Sequence, residues 1–514
     1  SDIGNWGAVV RLGEYLRENS EGIDELFIYD EVSHTVTVNN GTGSIIGDTK
    51  DFAAYALAFD LSKAYTESDM LYFKNKVDSS TNQSVTLTGD IDLTGTGIFG
   101  IGRDNVEKGA TAQKFSGILN GGGHKLMLDI GTVYGTGVSE SDNAAGQLYA
   151  KRSDQRDAHY SLALIPFSGE VTIQDVIIAG SVNCKLPGTV KQEENAADTR
   201  YPAFISAVVG LAAGQTTYEN VKVDAAVSIT EETNAKKLHV WQSGFLARCE
   251  GSKLQFRNCT WGNGASLSDE RNTDNHRIGG MAAEIMGGCS VSVNNCILSG
   301  TITSAAEANA CVGGLIAVSR GEIQNGTNNS FSAKTSTINI SGLQVDNETI
   351  TSLANKTSGG LLGYRWQNTD VVFASADNME ESGIKVGGVV ISGSELNVEK
   401  AQFGGLVYQA SGYWNATAKD SIVFTTDSNG KGNSFTGRTE KAAPSGLIVG
   451  TGLIRAGSTQ EEVTSALYLE AGTWGSASGA AYRIDKGAVT LKINGSDYFD
   501  ELVGITRADD AGNN

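Results

Sequence analysis

The chain has 514 residues, of which 64 are glycine and only 4 are proline. Because hydrophobic residues make up 40% of the sequence and charged residues 19%, the chain is neither collagen-like nor a disordered linker, and it can bury a core. The formal net charge of −20 disfavours nucleic acid and anionic membrane surfaces as partners. The sequence has no run of 18 apolar residues, so membrane insertion is not predicted.

Residues 1–80 are predicted to form an N-terminal cap. The segment contains a short predicted helix over Val9–Glu18 and strand-like runs at Leu26–Tyr29 and Thr35–Val38. An amphipathic helix is predicted over Asp51–Lys76, where the apolar residues are spaced to bury one face. Such a helix would cover the open end of the repeats that follow, whose strand edges otherwise invite aggregation.

Between residues 81 and 485 glycine recurs periodically. The glycine marks are GFL at Gly244, GGM at Gly280, GGL at Gly314, Gly360 and Gly405, and SGL at Gly446, with intervals of 36, 34, 46, 45 and 41 residues. The residues between the marks form short runs of Val, Ile, Leu, Thr and Ser without a helical period. We therefore predict an all-β solenoid, a parallel β-helix of roughly nine to eleven coils. Proline is scarce because a residue without an N–H group breaks the strand ladder.

A second repeated feature is a polar Asp or Asn before an apolar run, at Asp175, Asn220, Asn258 and Asn295. Because stacked coils place equivalent residues about 4.8 Å apart, we expect these asparagines to form an amide ladder. Six cysteines are too few for a disulfide framework, and Cys259 is predicted to lie below Cys296 inside the stack. Core filling is the favoured role of the cysteines, and a disulfide or a reactive site is the alternative.

Residues 85–129 carry a specific resemblance. They contain VTLTGDIDLTGTGIFGIG and then FSGILNGGGHKLMLDI. This pattern resembles the first coils of bacterial surface proteins with GLUG-type repeats, which have a pectin-lyase-like right-handed parallel β-helix. The resemblance covers roughly residues 85–460 and implies the fold rather than a chemistry, since this fold hosts lyases, hydrolases, phage spikes and adhesins. In the family pattern the position of His124 is part of a structural turn.

One loop resembles a catalytic motif. Asn272–Asp274 is similar to the NTD element of polygalacturonase-like hydrolases, and His276 and Arg277 lie close by. The partner Asp pair should follow one or two coils later, yet the only DD pair is Asp509–Asp510 in the tail. A solvated charged loop is therefore the favoured interpretation, and catalytic residues are not assigned.

Metal sites and cofactors are not predicted. The segment DSNGKGN, with Asp427, Asn429 and Asn433, begins like a calcium loop, but Arg438 occupies the position where an EF-hand needs a bidentate Glu. A Gly/Asn turn is the favoured interpretation. The five histidines are scattered without HxH or HExxH pairing, and CxxC does not occur.

Aromatic and arginine residues shortly after the glycine marks are the candidate ligand-binding residues. They are Tyr364, Arg365 and Trp366 in one repeat, Tyr408, Tyr413 and Trp414 in the next, and Arg320 at the position equivalent to Trp366 in the preceding repeat. Stacking would place them on adjacent coils at one edge, and Tyr, Trp and Arg together favour glycan stacking and protein hot spots. The alternative is that these rings pack on the outer wall of the solenoid.

The favoured function is a non-enzymatic, adhesin-like binding module that recognises a host or microbial glycan or glycoprotein. An immunoglobulin or a mucin is an alternative partner, and a polysaccharide-active lyase or hydrolase or a passive adhesin spacer is an alternative function. The protein is expected to be extracellular, secreted or attached to the cell wall, with its export signal outside this sequence, since residues 1–20 lack a basic start and an apolar run. Residues 486–514 are expected to close the solenoid and end in a linker.

Overall fold

Short runs of β-branched and apolar residues, separated by Gly, Asn and Ser, form strands throughout the part of the chain described by the computed structural model. The structure describes residues 27–30, 35–38, 63–64, 84–87, 89–94, 100–101, 114–133, 149–151, 158–186, 203–231, 240–270, 276–305, 310–325, 330–353, 357–365, 369–373, 388–398, 403–415, 421–437, 447, 449–456, 462–464, 482–493 and 496–497.

Three long sheets contain most of the strands. The first sheet comprises β3 (Lys63–Ala64), β4 (Val85–Leu87), β6 (Phe115–Asn120), β10 (Ile165–Gln174), β13 (Val209–Ala212), β14 (Thr216–Glu219), β17 (Leu246–Cys249), β18 (Lys253–Arg257), β22 (Ala282–Ile285), β23 (Ser290–Asn294), β27 (Ile316–Ser319), β30 (Ser336–Ser341), β34 (Leu362–Arg365), β35 (Thr369–Phe373), β39 (Val407–Asn415), β42 (Val449–Ala456) and β43 (Glu462–Thr464). The second comprises β5 (Ile91–Asp92), β7 (Lys125–Val133), β11 (Ile177–Leu186), β15 (Lys222–Glu231), β19 (Thr260–Trp261), β20 (Ser266–Asp269), β24 (Ile297–Leu298), β25 (Thr301–Ser304), β31 (Leu343–Asp346), β32 (Thr349–Ser352), β36 (Val389–Ser392), β37 (Glu395–Val398), β40 (Ile422–Thr425), β41 (Asn433–Gly437), β44 (Tyr482–Ile484), β45 (Val489–Ile493) and β46 (Ser496–Asp497). The third comprises β8 (Tyr149–Lys151), β9 (Ala158–Leu162), β12 (Ala203–Ser206), β16 (Val240–Ser243), β21 (His276–Gly279), β26 (Cys311–Gly313), β33 (Thr357–Gly359) and β38 (Phe403–Gly404). Two separate hairpins are β1 (Phe27–Asp30) with β2 (Thr35–Val38) and β28 (Glu322–Asn325) with β29 (Ser330–Ala333).

Neighbouring strands of each long sheet come from successive coils and run parallel. In the second sheet, Ile178 of β11 lies in register between Leu126 of β7 and Val223 of β15. Antiparallel pairing joins β8 to β9, β42 to β43 and β45 to β46, in addition to the two hairpins. The architecture is thus a parallel β-helix, which confirms the predicted all-β fold class.

The N-terminal predictions fall largely outside the described residues. The two predicted strand-like runs are confirmed as β1 and β2, which pair antiparallel. Within Asp51–Lys76 the structure describes Lys63–Ala64, and these residues form strand β3 beside β4 instead of a helix, because the edge of the first coil supplies backbone partners. The rest of that segment and Val9–Glu18 lie outside the described residues.

The core is a continuous column of apolar side chains inside the coils. Strands alternate buried and partly exposed residues, as in β14 and β30, because successive side chains point to opposite faces. Aromatic rings add to the stack: Tyr218 and Phe256 of adjacent coils lie parallel at 5.1 Å, and Phe245 meets both edge-on. The Tyr218 hydroxyl donates to the Phe245 carbonyl oxygen, so this buried polar group is satisfied.

Glycine is required at the two positions of each paired mark for different steric reasons. A Cβ on the first glycine of a pair, such as Gly279 or Gly313, would overlap the carbonyl oxygen three residues later in its own coil. A Cβ on the second glycine would collide with the backbone of the next coil, as at Gly280 against the carbonyl oxygen of Gly314. The first glycine therefore permits the tight turn, and the second permits the coils to approach each other.

The predicted ladder forms in part at the turn into the second sheet, where side-chain hydrogen bonds join Asp175, Asn220 and Asn258. Asp175, Asn220, Asn258 and Asn295 all have positive φ, between 50° and 53°. The Asn220 side-chain amide donates to Asp175 Oδ1 at 2.8 Å, and the Asn258 amide donates to Asn220 Oδ1 at 3.1 Å. Asn and Asp tolerate this left-handed conformation better than other residues with a side chain, which explains the repeated choice.

Replacing Asn220 by alanine should lower the free energy of unfolding by about 1–3 kcal/mol, because alanine loses the ladder hydrogen bonds and is strained at positive φ. Asn220→Gly keeps the conformation and loses only the amide, so it should cost less. Denaturant midpoints of the two variants measure the difference. Equal midpoints would show that the left-handed conformation contributes nothing to stability.

Candidate functional site

The third sheet turns into the first sheet at the glycine marks, and the outer side of this bend is here called the lateral face. Two columns of side chains meet on it. One column runs through the third sheet as Phe204, Trp241, Arg277 and Cys311, and the other runs through the first sheet as Leu211, Arg248, Glu284, Val318 and Tyr364. A small apolar cluster, separate from the main core, includes Phe204, Leu211 and Trp241.

The central group of the lateral face is the carboxylate of Glu284, which is fully buried. The indole Nε1 of Trp241 donates to Glu284 Oε2 at 2.7 Å. Arg277 Nε lies 2.7 Å from Oε2, and Arg320 Nε lies 2.9 Å from Oε1. Arg248 Nε is farther away, at 3.8 Å from Oε1. We call these five residues the lateral cluster.

The guanidinium groups also lie against the aromatic rings. Arg248 is centred 5.4 Å from the Trp241 ring and 5.8 Å from the Phe204 ring, and Arg277 is 5.0 Å from the Trp241 ring. Cations over aromatic faces are attracted by the ring quadrupole, most strongly when desolvated. Arg248 further contacts Glu250, with Nη2 3.3 Å from Oε1. The lateral cluster is thus fixed in place by both ion pairs and rings.

The charges of the lateral cluster shift the pKa values of Glu284 and Arg277. Burial by itself would raise the pKa of Glu284, but Arg320, Arg277 and Arg248, with the Trp241 hydrogen bond, lower it to about 2. The pKa of Arg277 is lowered, first by burial and then by Arg320 and Arg248, although Glu284 opposes the shift. Glu284 is therefore ionised at neutral pH.

The predicted ligand-binding residues lie partly on this face. Arg320 belongs to the lateral cluster, and the half-buried Tyr364 lies two coils above Glu284 in the same column. Tyr408 is on the next coil and is buried. It lies directly before Gln409, the residue that pairs with Tyr364. The side chains of Arg365, Tyr413 and Trp414 fall outside what the structure describes, although their backbones are in β34 and β39. Trp366 lies outside the described residues.

The residues of the loop that resembles a hydrolase motif do not share one environment in the structure. Asn272–Asp274 lies outside the described residues. His276, predicted to lie in a solvated loop, is fully buried in β21, with Nδ1 2.5 Å from Oδ2 of the buried Asp269, because the strand begins at this residue and turns it inward. Arg277, the next residue, points outward into the lateral cluster.

The segment that begins like a calcium loop is a turn held by Asp427. Its Oδ1 accepts N–H groups of Asn429 and Lys431 at 2.9 and 2.7 Å. Asn433 is a core residue, whose amide donates to the carbonyl oxygens of Ile391 and Ala488. Across the ranges given above, the structure has no group of three or more His, Cys, Asp or Glu residues that could hold a metal.

His124 lies in a turn between β6 and β7, where its backbone N–H donates to the Gly121 carbonyl oxygen. Its imidazole Nδ1 lies 3.7 Å from Asp90 Oδ1. Among the residues described, none belongs to a helix long and apolar enough to cross a membrane.

Five of the cysteines and one glutamate are buried inside the coils. All six cysteines are free thiols, and Cys249 and Cys289 approach to 3.8 Å between sulfur atoms. Burial raises the pKa of Glu348 well above its ordinary range, and this side chain lines a cavity of about 10 Å³, roughly the space of one water. The five buried cysteines and Glu348 face the inside of the coils, whereas Cys311 lies in the third-sheet column of the lateral face.

The lateral cluster was missed by sequence reasoning, although a signal was present. Arg248 and Glu284 each lie four residues after a glycine mark, at Gly244 and Gly280, and Trp241 and Arg277 lie three residues before the same marks. Aligning the repeats on the marks would have placed Arg248 and Glu284 at the position that Val318 and Tyr364 occupy in the next two repeats. Arg320 was included, but for its relation to Trp366.

Comparison of the chain with protein-family models, with curated proteins and with solved structures gave no match. The resemblance to GLUG-type surface proteins therefore stays a prediction. The parallel β-helix itself rests on the strand pairing described above.

Proposed function

We propose that the protein is an extracellular binding module that recognises a host or microbial glycan, free or carried on a glycoprotein, through its lateral face. The observation that carries this proposal is the lateral cluster, in which Trp241 lies between two guanidinium groups around a buried carboxylate. Arginine and aromatic side chains fixed in place are typical of binding hot spots. Rigid positioning lowers the ordering cost of binding.

Tyr364 extends the same face beyond the lateral cluster. Its backbone is in register with Val318 in one direction and Gln409 in the other, so one column joins the lateral cluster to Tyr364. A ligand several sugars long could therefore contact both. A parallel β-helix presents such an elongated surface because its coils repeat along one axis.

The alternative of a polysaccharide hydrolase has less support from these residues. A glycosidase needs a carboxylic acid with a raised pKa beside a second carboxylate. Glu284 has a pKa of about 2, so it carries no proton to donate at neutral pH and is a weak base. The charge state of the cluster thus favours binding over acid catalysis.

The test is a glycan array probed with the wild-type protein, followed by Tyr364→Ala and Trp366→Ala on the glycans that bind. We expect each substitution to weaken binding about tenfold, since burying an aromatic ring at a hot spot contributes 1–2 kcal/mol or more. Ile118→Ala is the control, because Ile118 is an exposed apolar residue of β6, a strand outside both columns.

Three results would count against the proposal. If the wild-type protein binds no glycan, the function is wrong. If it binds glycans and both aromatic variants match the control, the binding surface is elsewhere. If it degrades an acidic polysaccharide, with ultraviolet absorbance from an unsaturated product, the protein is a lyase.

A further inference from the structure

We propose that the lateral cluster seats the negatively charged group of an acidic sugar, a carboxylate or a sulfate, on the guanidinium of Arg277. The inference rests on the proposed function and narrows its ligand to acidic glycans.

Arg277 has hydrogen-bond donors that the protein does not use. Its Nε lies within ion-pair distance of Glu284, but the N–H group is not aligned with an acceptor, and Nη1 is buried and makes no hydrogen bond to a protein group. A buried guanidinium donor without an acceptor costs free energy. A planar guanidinium matches the two oxygens of a carboxylate or sulfate, which makes such an anion the suitable acceptor.

The charges of the site favour an anion over a neutral group. Glu284 is approached by three guanidinium groups, of which Arg248 also contacts Glu250. The cluster and Glu250 together bring three positive charges against two carboxylates. Burial is the first cause of the lowered pKa of Arg277, and repulsion by Arg320 and Arg248 adds to it. A bound anion would offset this repulsion.

The site is largely buried, and only part of each guanidinium group reaches solvent. The side chains of Arg248, Arg277 and Arg320 are 11%, 12% and 15% exposed, whereas Glu284 is fully buried. A ligand can therefore reach guanidinium edges without displacing the carboxylate. Arg248 lies over the Phe204 ring and Arg277 over the Trp241 ring, so the donors are already positioned before a ligand arrives.

The experiment measures binding by calorimetry with two matched ligand pairs. Oligogalacturonate is compared with its methyl ester, and a sulfated galactan oligosaccharide with its desulfated form. The first pair tests for binding of a carboxylate, and the second pair tests for binding of a sulfate. We expect one charged member to bind the wild-type protein at least about tenfold more tightly than its neutral partner, because a bidentate charged pair is lost in the neutral ligand.

Substitutions of Arg277 then test whether this residue binds the charged group of the ligand. Arg277→Gln should remove that preference, and Arg277→Lys should keep part of it, since lysine retains the charge but not the planar fork. Arg257→Gln is the matched control, because Arg257 is an exposed arginine of β18, a strand outside both columns of the lateral face. Thermal melting checks that each variant is folded.

A second measurement uses the wild-type protein alone. Labelling with an arginine-directed reagent, mapped by mass spectrometry, should show Arg277 protected by the charged oligosaccharide and not by its neutral partner. Equal binding of charged and neutral glycans would overturn the inference while leaving the proposed function intact. Binding of a charged glycan that neither depends on Arg277 nor protects it would place the anion elsewhere. Failure to bind any glycan would overturn both.

Discussion

Glu284→Gln is expected to lower the free energy of unfolding by about 3–5 kcal/mol. Removing one partner of a buried ion pair leaves the other charge uncompensated, and here three guanidinium groups would lose their shared carboxylate. Glutamine keeps the shape and one oxygen for the Trp241 N–H, so the effect reports the charge rather than a cavity. The denaturant midpoint measures it.

The same residue predicts how stability depends on pH. The pKa of Glu284 is lowered from 4.5 to about 2, so its contribution is fully present above about pH 4.5 and is lost as the pH falls towards 2. That shift corresponds to about 3 kcal/mol over this window. The wild-type midpoint should therefore fall more steeply between pH 4.5 and 2 than that of Glu284→Gln.

The control for both measurements is Glu170→Gln, since Glu170 is an exposed glutamate in β10. It should change neither the midpoint at neutral pH nor its slope in acid. A midpoint of Glu284→Gln equal to that of the control would mean that the three arginines need no buried counter-charge. In that case the ion pairs contribute no net stability.

Gly280→Ala is the second substitution for which we expect a large effect. The added Cβ would overlap the carbonyl oxygen of Gly314 in the next coil and lie 2.7 Å from Cε3 of the buried Trp261. Backbone cannot yield as a flexible side chain can, so two coils must separate. We expect a loss of about 3 kcal/mol or more, at the upper end of overpacking costs, measured as a lower denaturant midpoint.

Gly89→Ala is the matched control, because a Cβ at Gly89 meets no atom within 4 Å. Its midpoint should equal or slightly exceed that of the wild-type protein, since alanine restricts the unfolded chain more than glycine. Should Gly280→Ala behave like Gly89→Ala, close coil approach would not be the reason for the glycine marks.

The fold was predictable because its determinants repeat in the sequence. Each glycine mark and each Asp or Asn turn imposes a local backbone geometry. The interval from one glycine mark to the next, or from one such turn to the next, is one coil. Asn220 and Asn258 could be assigned to one ladder from spacing alone, and the structure confirms their hydrogen bond. His276 was misplaced because the polar residues before it, which include Asn275, are typical of a loop, whereas β21 begins at His276 and buries it.

The lateral cluster was harder to predict for an energetic reason. A charged residue such as Glu284 is almost never fully buried, so its position in an apolar run argues for exposure unless a partner is known. Its partner Arg277 lies on β21, across the glycine turn, and Arg320 lies just after β27 in the next coil, so the contacts depend on how the turn and the stacked coils orient these side chains. The glycine marks give the positions of these residues along the coil but not the contacts between their side chains.

The register of the stacked strands does not depend on the length of the loops between them. Sixteen residues lie between β11 and β12, but only six between β25 and β26, and the strands on both sides stay in register with their neighbours. Alignment is therefore enforced within each coil by the glycine marks and the left-handed turns. Loop segments can then be exchanged between coils, or replaced by foreign sequences, without shifting the stack, so the scaffold lends itself to diversification of specificity by loop replacement.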